Sequence, residues 1–289
     1  MPDTAENAAR RTACEAAFRR DVSEAAGPHG FLTVFEHAGD PREPARLVAH
    51  AASPGRPASR PTLLFLHGKG GFAAEWRRDA VRALRLGFNV LVPELRAHPP
   101  SGGERITYGL LETEDLARLV AEAARRLAFD PRRLAIDGCS MGALLALHVA
   151  AANPRVRAVW LQAPFADLPA MAVQYVYRAT LLPSWLVGIP VALAVRGLAR
   201  ESGLPLASLD PVAAARRVTC PAVLVHGEED ELVPPASAPP LYEALAGKKA
   251  LWLVPRCGHC HHADEPSGLR GAEYERRWST FMTRNLAAP

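Results

Sequence analysis

From residue 62 onward the chain alternates between short runs that are apolar throughout and longer segments in which apolar and polar positions recur at helical spacing. The runs are TLLFLH (62–67), NVLVPE (89–94), RLAID (133–137), RAVWLQ (157–162), AVLVHG (222–227) and ALWLVP (250–255). Apolar runs without period-two alternation suit parallel strands covered on both faces, and the segments between them suit crossover helices. The pattern predicts an α/β fold, with a mostly parallel central sheet and helices on both faces.

Two regions stand apart from this rhythm. Residues 4–26 are rich in Ala, Arg and Glu without Gly or Pro, which predicts a helix that packs on the domain or frays. FLTVFEHA (31–38) and ARLVAHAA (45–52) then read as two strands joined by a Pro-containing turn, followed by a surface loop, SPGRPASRP. The second region, about residues 169–208, is an apolar insertion between two of the parallel strands and reads as a helical cap. Pro183 and Pro190 interrupt it and Arg196 ends it, short of the ~20 apolar residues a span needs, so no transmembrane segment is expected. The chain thus divides into an N-terminal helical extension (1–30) and one main domain (31–289) carrying the cap.

Composition narrows the function classes. Of 289 residues, 49% are hydrophobic and 22% charged, the ordinary globular range, with material for a sizeable core. The net charge of +4 is spread over pairs such as Arg19-Arg20, Arg125-Arg126 and Arg216-Arg217 rather than one basic stripe, which excludes nucleic acid as the expected partner. Five cysteines, Cys14, Cys139, Cys220, Cys257 and Cys260, are too few and too scattered for a disulfide framework. The opening MPDTAENAARR lacks the apolar core of an export signal, and the two features together predict a cytoplasmic protein.

The chemistry concentrates at three places. Gly138-Cys139-Ser140-Met141-Gly142 follows the strand RLAID and precedes the helical run ALLALHVAAA, so G-x-S-x-G sits in the strand-turn-helix context that throws a serine hydroxyl clear of a sheet. Ser140 is the candidate nucleophile, the amide of Met141 a candidate oxyanion donor, and Cys139 a packing residue. Downstream, AVLVHG ends in Gly227-Glu228-Glu229-Asp230, where Asp230 is the candidate acid, with Glu228 and Glu229 as alternatives. After ALWLVP comes Arg256-Cys257-Gly258-His259, which puts the candidate base, His259, on the next loop. The order serine, acid, histidine is that of α/β-hydrolases. His67-Gly68-Lys69-Gly70-Gly71 lacks a P-loop ending and reads as the second half of an oxyanion hole, through the amide of Lys69, whose side chain is expected in solvent.

Cys257, Cys260, His261 and His262 are spaced like metal ligands, but no second cysteine pair completes a structural zinc pattern. No metal and no cofactor are expected, and a Cys257–Cys260 disulfide is the alternative for this loop.

LLFLHG, GCSMGA, HGEEDELVP and CGH together resemble the motifs of the α/β-hydrolase superfamily, and more narrowly its lidded serine hydrolases: esterases, thioesterases, acylglycerol lipases and serine aminopeptidase-like proteins. The resemblance spans roughly residues 45–286 and implies an acyl-enzyme mechanism at Ser140, Asp230 and His259. Pro93–His98, with Thr107, Gly109, Glu112 and Asp115, is similar to the family's D-x-R-G-H-G-x-S stretch, but Glu94 stands for Asp, Ala97 for the first Gly and Pro99 for the second. The expected reaction is hydrolysis of a carboxylic ester or thioester, its apolar acyl or aromatic group held by Trp185, Leu186 and Ile189 of the cap. A peptidase or amidase with the same triad is the near alternative, and a noncatalytic binding protein of the same fold the distant one.

Overall fold

The computed structural model describes residues 5–201, 209–260 and 271–286. Eight strands form one sheet: β1 (Phe31–Ala38), β2 (Arg46–Ser53), β3 (Thr62–Leu66), β4 (Asn89–Pro93), β5 (Leu134–Cys139), β6 (Val156–Gln162), β7 (Ala222–Gly227) and β8 (Lys249–Val254). Their order is β1-β2-β4-β3-β5-β6-β7-β8. The β1–β2 and β2–β4 pairs are antiparallel, and every pair from β4 to β8 is parallel. The six parallel strands are the six apolar runs of the sequence. In β3, β4, β5 and β7 every residue is buried, as expected of strands covered on both faces.

The helices are α1 (Ala5–Ala26), α2 (Arg77–Arg85), α3 (Glu112–Leu127), α4 (Met141–Ala152), α5 (Leu168–Thr180), α6 (Ser184–Glu201), α7 (Pro211–Ala215), α8 (Ala238–Ala244) and α9 (Ala272–Leu286). One face of the sheet packs a core built from α3, α4 and α8 side chains such as Leu116, Leu145 and Leu241. The other packs α1, α2 and α9 through Phe18, Val22, Ala83, Leu84, Trp278 and Met282. α1 therefore docks rather than frays: Phe18 and Val22 are buried, and Asp21 accepts a hydrogen bond from Arg77 of α2 at 3.0 Å.

α4 is apolar all round and its residues from Met141 to Ala150 are buried, which places it at the centre of the domain directly behind β5. The insertion between β6 and β7 is α5 and α6. Val187, Val191 and Val195 of α6 turn inward onto Leu144, Phe165, Met171 and Val233, forming a third apolar cluster between the cap and the domain.

The stretch that departs from the family pattern is a buried framework. Arg96 donates twice to Asp115, Nε to Oδ2 and Nη2 to Oδ1, each at 2.9 Å. Glu112 accepts from the amides of Thr107 (2.6 Å) and Gly109 (2.8 Å) and from the Thr107 hydroxyl (2.5 Å). Ala97, where the family has glycine, holds a left-handed φ of 58°, a conformation costly for a side chain with Cβ.

Candidate active site

Ser140 lies between β5 and α4 with φ 55° and ψ −116°, a region of backbone space that a non-glycine residue enters only when its surroundings enforce it. The enforcement is visible. A Cβ at Gly138 would run into the carbonyl of Gly142, and one at Gly142 into the carbonyl of Leu66, so both flanking positions admit only hydrogen. The Ser140 amide donates to Gln162 O of β6 at 2.8 Å. Gln162 Nε2 in turn donates to Asp137 Oδ1 of β5 (2.8 Å), while Trp278 Nε1 of α9 donates to Asp137 Oδ2 (2.7 Å). The turn is thus braced from β6 and α9 as well as by its own glycines.

Asp230 follows β7 and is buried. Its Oδ1 accepts the amides of Leu232 (3.0 Å) and Val233 (2.8 Å), and its Oδ2 accepts His259 Nδ1–H at 2.7 Å. Buried His226, four residues upstream, puts Nε2 within 3.4 Å of the same Oδ2 and donates to Val233 O at 2.8 Å. Burial alone would raise the carboxyl pKa, but the hydrogen bonds from His226 and His259 outweigh it and hold the group well below the usual carboxylate range. Asp230 is therefore a fixed anion facing the Nδ1 edge of His259.

The His259 loop is tied to β7 by the Glu229 amide, which donates to Cys257 O at 2.9 Å. It is also tied to β5: Cys260 and Cys139 form a disulfide, with Cα atoms 6.3 Å apart across 121 residues of sequence. Two expectations change here. Cys139 is bonded rather than a simple packing residue, and the partner of Cys260 is Cys139 rather than Cys257. The parallel order β5-β6-β7 is the reason, because it brings the carboxyl end of β5 beside the loop that leaves β8. The bond also weakens the case from cysteine usage for a reducing compartment. Among the described residues no group of His, Cys, Asp and Glu could hold a metal ion; His261 and His262 lie outside those residues.

Met141 opens α4, and its amide is one of the helix N-terminal donors without an intrahelical acceptor. Gly68 lies beside the elbow, where a Cβ would come within 3.5 Å of both Cys139 O and Ser140 Cβ. The loop after β3 is held by the Gly70 amide, which donates to His98 Nε2 at 3.0 Å, and by the Gly71 amide, which donates to Gly68 O at 3.1 Å. The Lys69 Nζ, expected in solvent, sits 4.5 Å from the ring centre of Tyr175 on α5, because the cap brings that ring over the loop. The Tyr175 side chain lies close to that of Ser140, and burial raises its pKa.

Behind the loop, His67 Nδ1–H donates to Gly68 O at 2.8 Å and its Nε2 accepts the Leu95 amide at 3.1 Å, which assigns the neutral tautomer. Burial pushes its pKa down to about 3. Glu94 Oε2 lies 3.8 Å from that Nε2 and 3.6 Å from Arg11 Nη2 of α1, and burial pushes the Glu94 pKa up to about 8.

Trp185, Leu186 and Ile189 are not turned toward Ser140. They are 78%, 48% and 72% exposed on the outer face of α6, since they lie about half a helical turn from Val187 and Val191, which face inward. Tyr175, His226 and the Asp137–Trp278 brace were not foreseen from sequence.

A family model described as alpha/beta hydrolase fold matches residues 61–217, just over half of the chain. YqkD of Bacillus subtilis (strain 168), a protein described as uncharacterized, is 32% identical over 61% of this chain and 57% of its own length, so the match spans little more than half of that relative. A thermostable monoacylglycerol lipase from Bacillus sp. (strain H-257) is 28% identical over 64% of this chain and 76% of its own. Among solved structures, the Pyrococcus furiosus esterase Pf2001 superposes with a TM-score of 0.68 at 21% identity, covering 88% of this chain and 93% of that one. Among the described residues no helix is long and apolar enough to cross a membrane. The strand order, the serine elbow at the end of β5 and the family match lead to one assignment: the chain belongs to the alpha/beta hydrolase fold family.

Proposed function

We propose that the protein is a serine hydrolase that cleaves carboxylic esters or thioesters of apolar acyl groups, with Ser140 as nucleophile, His259 as general base and Asp230 as the acid that orients it. The observation that carries this reading is the 2.7 Å hydrogen bond from His259 Nδ1–H to the buried Asp230 carboxylate, on a loop that the Cys139–Cys260 bond joins to the strained elbow of Ser140. That hydrogen bond leaves Nε2 of His259 unprotonated and ready to take a proton.

The Ser140 oxygen attacks the substrate carbonyl carbon while His259 Nε2 accepts the hydroxyl proton. Asp230 stabilises the resulting imidazolium without accepting its proton. The oxyanion is received by the amides of Met141 and Lys69. His259 then protonates the departing alcohol or thiol, and a water molecule activated by the same imidazole hydrolyses the acyl-enzyme. The protein acts without a cofactor and on small molecules rather than nucleic acid.

An apolar acyl group is favoured by the cap. Residues 168–200 contain no Asp or Glu to anchor a free substrate amine, and the inward side chains of α6 are valines. The names of the monoacylglycerol lipase and esterase relatives point the same way. The reading is tested with p-nitrophenyl esters of increasing chain length, an acyl-thioester and an amino-acid anilide, with Ser140→Ala as blank. Ester or thioester turnover with an optimum at a medium or longer chain is expected. Anilide cleavage exceeding ester cleavage in kcat/KM would replace the reading by that of a peptidase.

A further inference from the structure

We infer that the Cys139–Cys260 disulfide is a covalent positioning device for the reaction: it sets the placement of His259 relative to Ser140, and breaking it lowers turnover. The inference rests on the roles proposed for Ser140 and His259. Cys139 immediately precedes the nucleophile and Cys260 immediately follows the base, so the bond joins the two catalytic segments one residue from each reacting side chain. Both half-cystines are buried within the apolar cluster on the α9 side of the sheet.

The remaining restraints on these segments explain why the bond matters. Ser140 is fixed to β6 through Gln162 O, and the sheet register pairs Cys139 with Gln162. The His259 loop meets β7 and the turn after it through Asp230 at Nδ1, through the Glu229 amide on Cys257 O, and at Gly227, whose missing Cβ makes room for the carbonyls of Cys257 and Gly258. These contacts orient the imidazole about its Nδ1 edge but do not tie the loop to β5. The disulfide supplies that tie across β6, with Cys260 Sγ lying 3.5 Å from the same Gln162 O that receives the Ser140 amide. Geometry at the reacting atoms governs the rate steeply: a displacement of ~1 Å can cost on the order of 100-fold.

The bond also makes the site sensitive to thiols. A dithiol reductant delivers two electrons and two protons, converting the disulfide to the Cys139 and Cys260 thiols while the reductant becomes its own disulfide.

The experiment uses the full-length protein oxidised with glutathione disulfide, then treated or not with dithiothreitol at a temperature where circular dichroism shows both forms folded. Alkylation and intact mass count the thiols. Hydrolysis of p-nitrophenyl butyrate gives kcat and KM, and the rate of fluorophosphonate labelling reports activation of Ser140. The expected result is a loss of about tenfold or more in kcat and labelling rate on reduction, with KM little changed and activity restored on reoxidation. Cys260→Ser and Cys139→Ala have the low rate and ignore dithiothreitol, whereas Cys220→Ser responds as wild type does. A merely structural bond would lower the melting temperature and leave the kcat of the folded reduced enzyme unchanged. Equal labelling rates in oxidised and reduced wild type, or free alkylation of both cysteines after oxidation, would overturn the inference while leaving the triad intact. Absence of any adduct at Ser140 in either form would instead overturn the triad, and this inference with it.

Discussion

The carboxyl ends of β5 and β7 and the two-helix cap solve opposite problems. At the strand ends the carboxylates near Ser140 are buried and partnered: Asp137 takes Gln162 and Trp278, and Asp230 takes two amides and two histidines. The cap brings Tyr175 close to Ser140 and presents Leu181, Trp185, Ile189 and Leu193 to solvent. A reacting geometry must be held within fractions of an ångström, so it is built on strands and braced by hydrogen bonds. The cap is built differently: its inward contacts are apolar, Val187, Val191 and Val195 of α6 packing on Leu144, Phe165, Met171 and Val233. The outward face of the cap exposes apolar side chains, and the charges of α5 and α6 are Arg178, Arg196, Arg200 and Glu201, the last paired with Arg105 at 2.6 Å.

The contrast can be broken at several points. Asp230→Asn removes the anion that fixes the His259 tautomer while keeping an acceptor for the Leu232 and Val233 amides, so kcat falls by about 10³- to 10⁴-fold with KM nearly unchanged; steady-state kinetics check this. Asp137→Ala leaves the Trp278 and Gln162 donors buried without their acceptor, and a stability loss on the order of 2–4 kcal/mol is expected in urea unfolding.

Glu94 gives a pH test. Its acid pKa is raised from 4.5 to about 8, so between those values the folded protein keeps a proton that the unfolded chain has released. The Glu94 contribution to stability is therefore undiminished below about 4.5 and declines as pH rises toward 8. Glu94→Gln, which mimics the protonated acid, removes the decline, and the gap between variant and wild type in unfolding free energy opens over that range to about 1–2 kcal/mol. The smallest effect is expected at the cap: the double variant Trp185→Ser, Ile189→Ser raises KM by about two- to fivefold for emulsified long-chain esters and leaves butyrate esters unaffected.

Much of this was legible before any coordinates. Strands covered on both faces must be apolar throughout, so β3 to β7 announce themselves, and an elbow, an acid and a histidine each follow a strand. What stayed hidden depends on the third dimension. The Cys139–Cys260 bond needs β6 to lie between β5 and β7, and 121 residues separate the partners. The cap helix α6 is apolar on every side, so periodicity could not tell the inward Val187 and Val191 from the outward Trp185 and Ile189. Tyr175 lies on an amphipathic helix like any other partly buried tyrosine, and only the docking of α5 above Ser140 distinguishes it.

Activation of Ser140 as a nucleophile is read from intact-protein mass after incubation with a fluorophosphonate, comparing wild type with Ser140→Ala and Asp230→Asn. One adduct is expected in wild type, none in Ser140→Ala and a much slower one in Asp230→Asn. Well-folded wild type that takes up no adduct, or an adduct that survives in Ser140→Ala, would contradict that activation.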